Sequence, residues 1–178
     1  MIDPVRNRQI VGALLYALVA LVILLVRLLP VHPGTINWSG PNLTLCLTFA
    51  WILRRPEQLP ALIIAAVFLL EDILLMRPLG LWAALAVLAT EAARVREPRW
   101  REHPFMIEWM RVIILIALMM LAYRIAMAVV FLPLPSFGQM FAELLATSIA
   151  YPVVVLAARW FLGVRRLDIT EAEMMRHR

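Results

Sequence analysis

Glu71 and Asp72 stand side by side in LLEDILLMRPLGLWAAL, residues 69–85, an apolar run that leads into Arg77, Pro78, Leu79 and Gly80. Neighbouring carboxylates can serve as acid and base, relay a proton, or hold cations inside an apolar medium. Sugar chemistry needs two acids facing each other across a cleft, whereas neighbours on one helix point about 100° apart. Other charges interrupt apolar runs in the same way: Arg124 in MMLAYRIAMAVV, Glu143 in MFAELLATSIA, and Glu108 with Arg111 in IEWMR. The sequence has no zinc-like Cys/His spacing, no HExxH, no GxSxG and no glycine-rich phosphate loop, so no catalytic residue, metal or cofactor is expected.

Ionisable groups inside apolar segments are costly and normally face protein or a watery cavity. Counting rise per residue, Glu71, Asp72, Arg124 and Glu143 fall in one layer roughly 8–12 Å from one end of their segments. The spacing therefore predicts a buried network in which Glu143 and one of Glu71 or Asp72 hold Arg124. The other acid meets Arg77 by snorkelling, or meets a partner. Locking helices together, contacting a partner and carrying an ion or solute all fit such a layer. Towards the opposite end, Glu108 and Arg111 are three residues apart on one helix face and are expected to pair, with Glu91 nearby.

What positions these groups is a chain of 178 residues, 63% hydrophobic and 16% charged, with mean hydropathy +0.86. A soluble domain is roughly 45–50% apolar. The expected class is an all-α polytopic integral membrane protein with one transmembrane domain over residues 1–163. Its six helices are expected at about 10–29, 41–55, 59–77, 79–95, 105–132 and 137–161, followed by a short cytoplasmic tail at 164–178. The second and fourth are short for a crossing, and Pro152 must kink the sixth or be compensated.

Arginine alternates along this order. It is frequent before the first segment (Arg6, Arg8), after the second (Arg54, Arg55), after the fourth (Arg94, Arg96, Arg99, Arg101) and after the sixth (Arg165, Arg166, Arg176, Arg178). The intervening loops hold only Arg77, with Arg27 just before the first of them. That alternation predicts an even number of crossings with both termini cytoplasmic. It also accounts for the net charge of +5 without nucleic acid as a partner. The opening MIDPVRNRQIV resembles the start of a signal peptide, but VRLLPVHPG offers no small-residue cleavage pattern, so the first run is expected to stay as a helix. Trp51, Trp82, Trp100, Trp109 and Trp160 sit near segment boundaries and are expected to anchor in the interface. The single cysteine, Cys46, reads as a small buried hydrophobe.

PNLTLCLTFAW, LPALIIAAVFLLEDILLMRPLGLWAAL and the arginine-rich turn that follows resemble the MreD family of rod shape-determining proteins, in its alphaproteobacterial form. The resemblance spans about residues 10–163, and its most specific part is Asp72 followed by Pro78, Leu79 and Gly80. Glu71, beside the motif aspartate, is an addition to the pattern. The resemblance implies an inner-membrane, non-catalytic subunit of the elongation complex. It would bind MreC through transmembrane helices and act with MreB filaments, RodA and the elongation transpeptidase in peptidoglycan synthesis and cell shape. It also implies a helical arrangement related to the substrate-binding components of energy-coupling-factor transporters. A small-solute-binding transporter subunit and a membrane enzyme acting on a lipid-linked intermediate are the alternatives; membrane lipids are contacts in every case.

Overall fold

The computed structural model describes residues 4–29, 40–100 and 104–161, with the side chains of 4–8, 97–100 and 161 excepted. The expected tail at 164–178 and most of the VHPGTINWSG loop lie outside the described residues, as do Arg101 and the four arginines of the tail. The described part is helical, with no strand among the described residues. It comprises α1 (Pro4–Leu28), α2 (Leu43–Ile52), α3 (Ala61–Leu74), α4 (Leu81–Trp100), α5 (Phe105–Val129) and α6 (Phe137–Phe161), with a 3₁₀ turn at Pro56–Gln58. Three stretches are long and apolar enough to cross a membrane: Gln9–Leu28, Phe105–Val129 and Phe137–Trp160. The protein is thus a helical membrane protein whose outward faces, such as Leu14, Leu18, Ile114, Leu118, Ile149 and Val153, are apolar and exposed.

Helix α2 sits at the centre, with nine of its ten residues buried. At about 1.5 Å per residue it is roughly half as long as a hydrocarbon core is thick. Its first turn opens inside the protein: Asn42 is fully buried, and its backbone N–H donates to Thr147 Oγ1 of α6 at 3.1 Å. Asn42 Oδ1 in turn accepts from Leu45 N at 3.1 Å, capping the helix. A helix end away from water requires such partners, and a polar cap supplied by a neighbouring helix meets that requirement. The Cys46 thiol donates to the Thr147 carbonyl at 3.5 Å, so this residue is polar glue as well as buried packing. Thr48 donates to the Thr44 carbonyl at 2.7 Å, which leaves its oxygen to accept from the buried Tyr16 hydroxyl of α1 at 2.8 Å.

Pro152 lies inside α6 and has no N–H to give the Ser148 carbonyl four residues earlier. Trp109 of α5 fills the gap: its indole N–H donates to Ser148 O at 2.9 Å. The proline is therefore compensated by a neighbour, and Trp109 bonds protein rather than interfacial water. Trp51 and Trp82 also depart from the interfacial role expected of them. Both are buried, in edge-to-face contact with Tyr16 and Tyr123 respectively. Only Trp160 is largely exposed among the described tryptophan side chains.

Helix α3 ends after Leu74, three residues short of the expected 77, and the next helix starts at Leu81 rather than 79. Arg77 N reaches the Asp72 carbonyl at 2.9 Å and Met76 N the Ile73 carbonyl at 3.3 Å, a Schellman close with Met76 at φ +51°. Helix α5 closes in the same way, with Leu132 N on Met127 O, Phe131 N on Ala128 O and Phe131 at φ +55°. Neither left-handed residue is glycine, and both side chains are almost wholly exposed at one end of the bundle.

Candidate functional site

At the Pro78 end, α1, α3 and α6 bring one cation and two acids together. Arg27 Nη1 donates to Glu71 Oε1 at 2.8 Å, and Arg27 Nη2 lies 4.0 Å from Glu143 Oε1. Arg77 Nη1 stands 3.7 Å from the same Glu71 oxygen. The Glu71 side chain is almost fully enclosed, whereas the two arginines keep about a fifth of their surface exposed. Two partly wet cations around one dry carboxylate offset its desolvation while their own heads stay near the boundary.

Glu71 meets a different arginine from the one the spacing predicts. Arg124 turns towards the chain between α5 and α6: Nη1 donates to the Pro135 carbonyl, lies 3.6 Å from Met140 Sδ, and its guanidinium stands 3.7 Å over the Phe137 ring. Arg27 occupies the central place instead. Its position one turn from the end of an apolar run was visible in the sequence. What was not visible is that α1 packs beside α3, which brings Arg27 opposite Glu71.

Asp72 serves a separate purpose. Its Oδ2 accepts from Gly80 N at 3.0 Å and from Ala83 N at 3.3 Å. These are the first unsatisfied donors of α4, and the negative charge faces the positive end of that helix. Asp72, Pro78 and Gly80 are therefore one local device. Pro78 leads out of α3, Gly80 takes φ +80°, and the carboxylate of the finished helix caps the next. Leu79 is largely exposed at the tip of this turn. Asp72→Ala is expected to cost about 1–2 kcal/mol and to fray the start of α4, whereas Asp72→Asn keeps most of that stability. Thermal unfolding in detergent, with hydrogen exchange at residues 80–84, checks both.

The opposite end holds a second buried cluster. Glu108 Oε1 accepts from Arg54 Nη2 at 3.2 Å and from the Tyr151 hydroxyl at 2.8 Å, linking α5 to the end of α2 and to α6. All three residues are buried. The expected partner, Arg111, is local; the ones that tie the fold together are distant. Arg54 also donates to the Ala50 carbonyl at 3.0 Å, Arg94 donates to the Leu59 carbonyl, and Glu91 lies 3.4 Å from Arg94. Arg54 and Arg94, counted in the sequence only as signs of topology, are also structural.

Two concavities adjoin these clusters. A cavity of about 330 Å³ at the Pro78 end lies between the α3–α4 turn, α5 and α6. A longer apolar groove of about 760 Å³ runs between α1 and α3. Neither contains paired facing acids, and among the described residues no group of three His, Cys, Asp or Glu side chains is placed to hold a metal ion. Glu71 and Glu108 are committed to cations and Asp72 to the start of α4. Compared with known proteins, the chain matches no family model, no curated protein and no solved structure.

Proposed function

We propose that this protein is a non-catalytic membrane scaffold that seats a single transmembrane helix of a partner, as its resemblance to the MreD family implies. The partner is then MreC, and the assembly is the rod complex of the inner membrane with RodA, the elongation transpeptidase and MreB. In this reading the chain crosses six times, the second passage completed by residues flanking α2, with both termini cytoplasmic. The alternating arginines support that orientation.

The observation that carries the reading is the groove between α1 and α3. Its lining is apolar apart from Gln9 and Glu57 near one end, and it includes Ala13, Ala17 and Ala66. Small residues permit close approach of helix backbones in lipid, where packing rather than water release drives association. The exposed Glu57 suits a basic residue flanking the incoming helix at the arginine-rich end. The Asp72 end of α3 is the less suitable seat for a partner, because Asp72 is buried and bound to the start of α4.

Photocrosslinking in intact membranes tests it, with probes at Leu14, Leu62 and Leu70 of the groove and at Ile114, Leu118 and Ile149 on the remote face. MreC crosslinks should concentrate in the groove. Ala17→Leu and Ala66→Leu should fill it and reduce crosslinking about tenfold or more, a loss of ~1.4 kcal/mol or more, at unchanged membrane abundance. Equal labelling of both faces, or no effect of filling, would reject this surface.

A further inference from the structure

Two short helices of this protein turn apolar faces outward. Leu62, Leu69 and Ile73 of α3 and Leu88 of α4 are exposed, whereas the still shorter α2 is hidden among its neighbours. Only an exposed helix imposes its length on the surrounding lipid. Helix α3 has 14 residues, about 21 Å against a hydrocarbon core of about 30 Å. Neither α3 nor α4 is among the stretches long and apolar enough to cross a membrane.

A short segment adapts by snorkelling of its flanking side chains, by associating with another segment, or by thinning the bilayer. Snorkelling is opposed at both ends of this hairpin. Arg77 is held inward, 3.7 Å from Glu71 and 5.1 Å over the Trp82 ring. Arg94 is held by the Leu59 carbonyl and stands 3.4 Å from Glu91. The stretch of α4 from Leu81 to Arg94 covers about 20 Å, close to the length of α3. Both guanidinium groups keep part of their surface exposed, so each needs water or headgroups at its own height.

Helix α5 shows how far the hairpin falls short. Trp82, near the start of α4, meets Tyr123 edge-on with ring centres 5.3 Å apart. Yet α5 runs on from Tyr123 to Val129, about 9 Å further. Ile125 and Val129 on that stretch are exposed and apolar. Pro133 and Pro135, in the chain that follows, share a cavity of about 330 Å³ with Arg77 and Trp82. The apolar rim is therefore higher around α5 than around the α3–α4 turn. A level bilayer would draw Arg77 below the hydrocarbon boundary, where an ionised group is costly, whereas lipid yields to mismatch at a modest cost per ångström.

We propose that the bilayer thins locally against the α3–α4 hairpin, its polar boundary dipping from the end of α5 to Arg77. Met76 and Leu79, largely exposed at the tip of the turn, then rest in the headgroup layer. The partner of this surface is a collar of compressed lipid. The proposal takes α3 and α4 as crossings and does not depend on the partner-helix reading.

The test uses the full chain reconstituted in dioleoyl phosphatidylcholine, with a nitroxide at Leu79→Cys of the turn or at Ile125→Cys of α5 and the buried Cys46 left in place. The contact between Trp82 and Tyr123 sets these positions at similar heights in the protein, so their depth in lipid is what differs. The Leu79→Cys label should show a several-fold higher ratio of nickel-chelate to oxygen accessibility than the Ile125→Cys label. Thicker dierucoyl bilayers should widen the gap, because only the label on α5 sinks further. Both labels in hydrocarbon would overturn the proposal together with the crossing of α3 and α4. Both at the polar boundary would overturn the proposal alone. A Leu79→Cys label shielded from both reagents would mean that protein covers the turn, which rejects it too. Met76→Cys and Leu121→Cys give the same comparison where a first variant fails to fold.

Discussion

Glu71→Ala is expected to lower stability by about 3–5 kcal/mol, the cost of leaving buried or half-buried cations without their counter-charge. Glu71 accepts from Arg27 at 2.8 Å and lies 3.7 Å from Arg77, so one truncation weakens the hold on both and leaves Arg27 to Glu143, 4.0 Å away. The loss should appear as a lower unfolding temperature in detergent and a smaller folded fraction in the membrane. Because α1 is tied to α3 mainly through this pair and apolar contact, early unfolding should begin with α1. Hydrogen exchange along Gln9–Leu28 reads that directly. Replacing Arg27 and Glu71 together by leucine should recover part of the loss, since a buried pair can often be exchanged for apolar packing. A Glu71→Ala protein within about 1 kcal/mol of the parent would show that the cluster does not hold the helices.

Glu108→Ala is the second large effect, again about 3–5 kcal/mol. It removes the acceptor shared by Arg54 and Tyr151 and leaves a buried guanidinium facing a buried hydroxyl. Glu108→Gln should fall between the two, keeping an acceptor for Tyr151 but not the charge. Arg111→Ala, in contrast, is expected to cost about 1 kcal/mol or less, as for a local pair near a boundary. Unfolding temperatures of the three variants give the order. A double-mutant cycle between Arg54 and Glu108 should then show strong coupling, and equal losses for Glu108→Ala and Arg111→Ala would contradict the assignment.

The two acids that open the apolar run illustrate how far residue type reaches. Adjacent on one helix, they point in different directions, and this alone requires different partners. Which partners they take depends on neighbours far away in the chain. Asp72 finds its own within eleven residues, at Gly80 and Ala83, so its spacing to the Pro78 turn carries the information. Glu71 finds Arg27 forty-four residues earlier, a pairing no spacing rule contains. Arg124 was the nearer guess by depth, yet Pro135, Phe137 and Met140 take it.

Composition and hydropathy determined on their own that the chain is helical and belongs in lipid, and the placing of Pro, Gly and Arg set where the helices begin and end to within a few residues. A bilayer forces most backbone groups to be satisfied within their own helix, so this much is largely a property of each segment by itself. Tertiary structure alone decided that α2 is a buried half-length helix capped from α6, that Trp109 replaces the hydrogen bond Pro152 cannot make, and that Arg27 and Arg54 are the cations facing Glu71 and Glu108. These depend on which helices lie side by side. In lipid that choice follows from side-chain fit and polar pairing between segments, information that belongs to pairs of segments and is not written in either one.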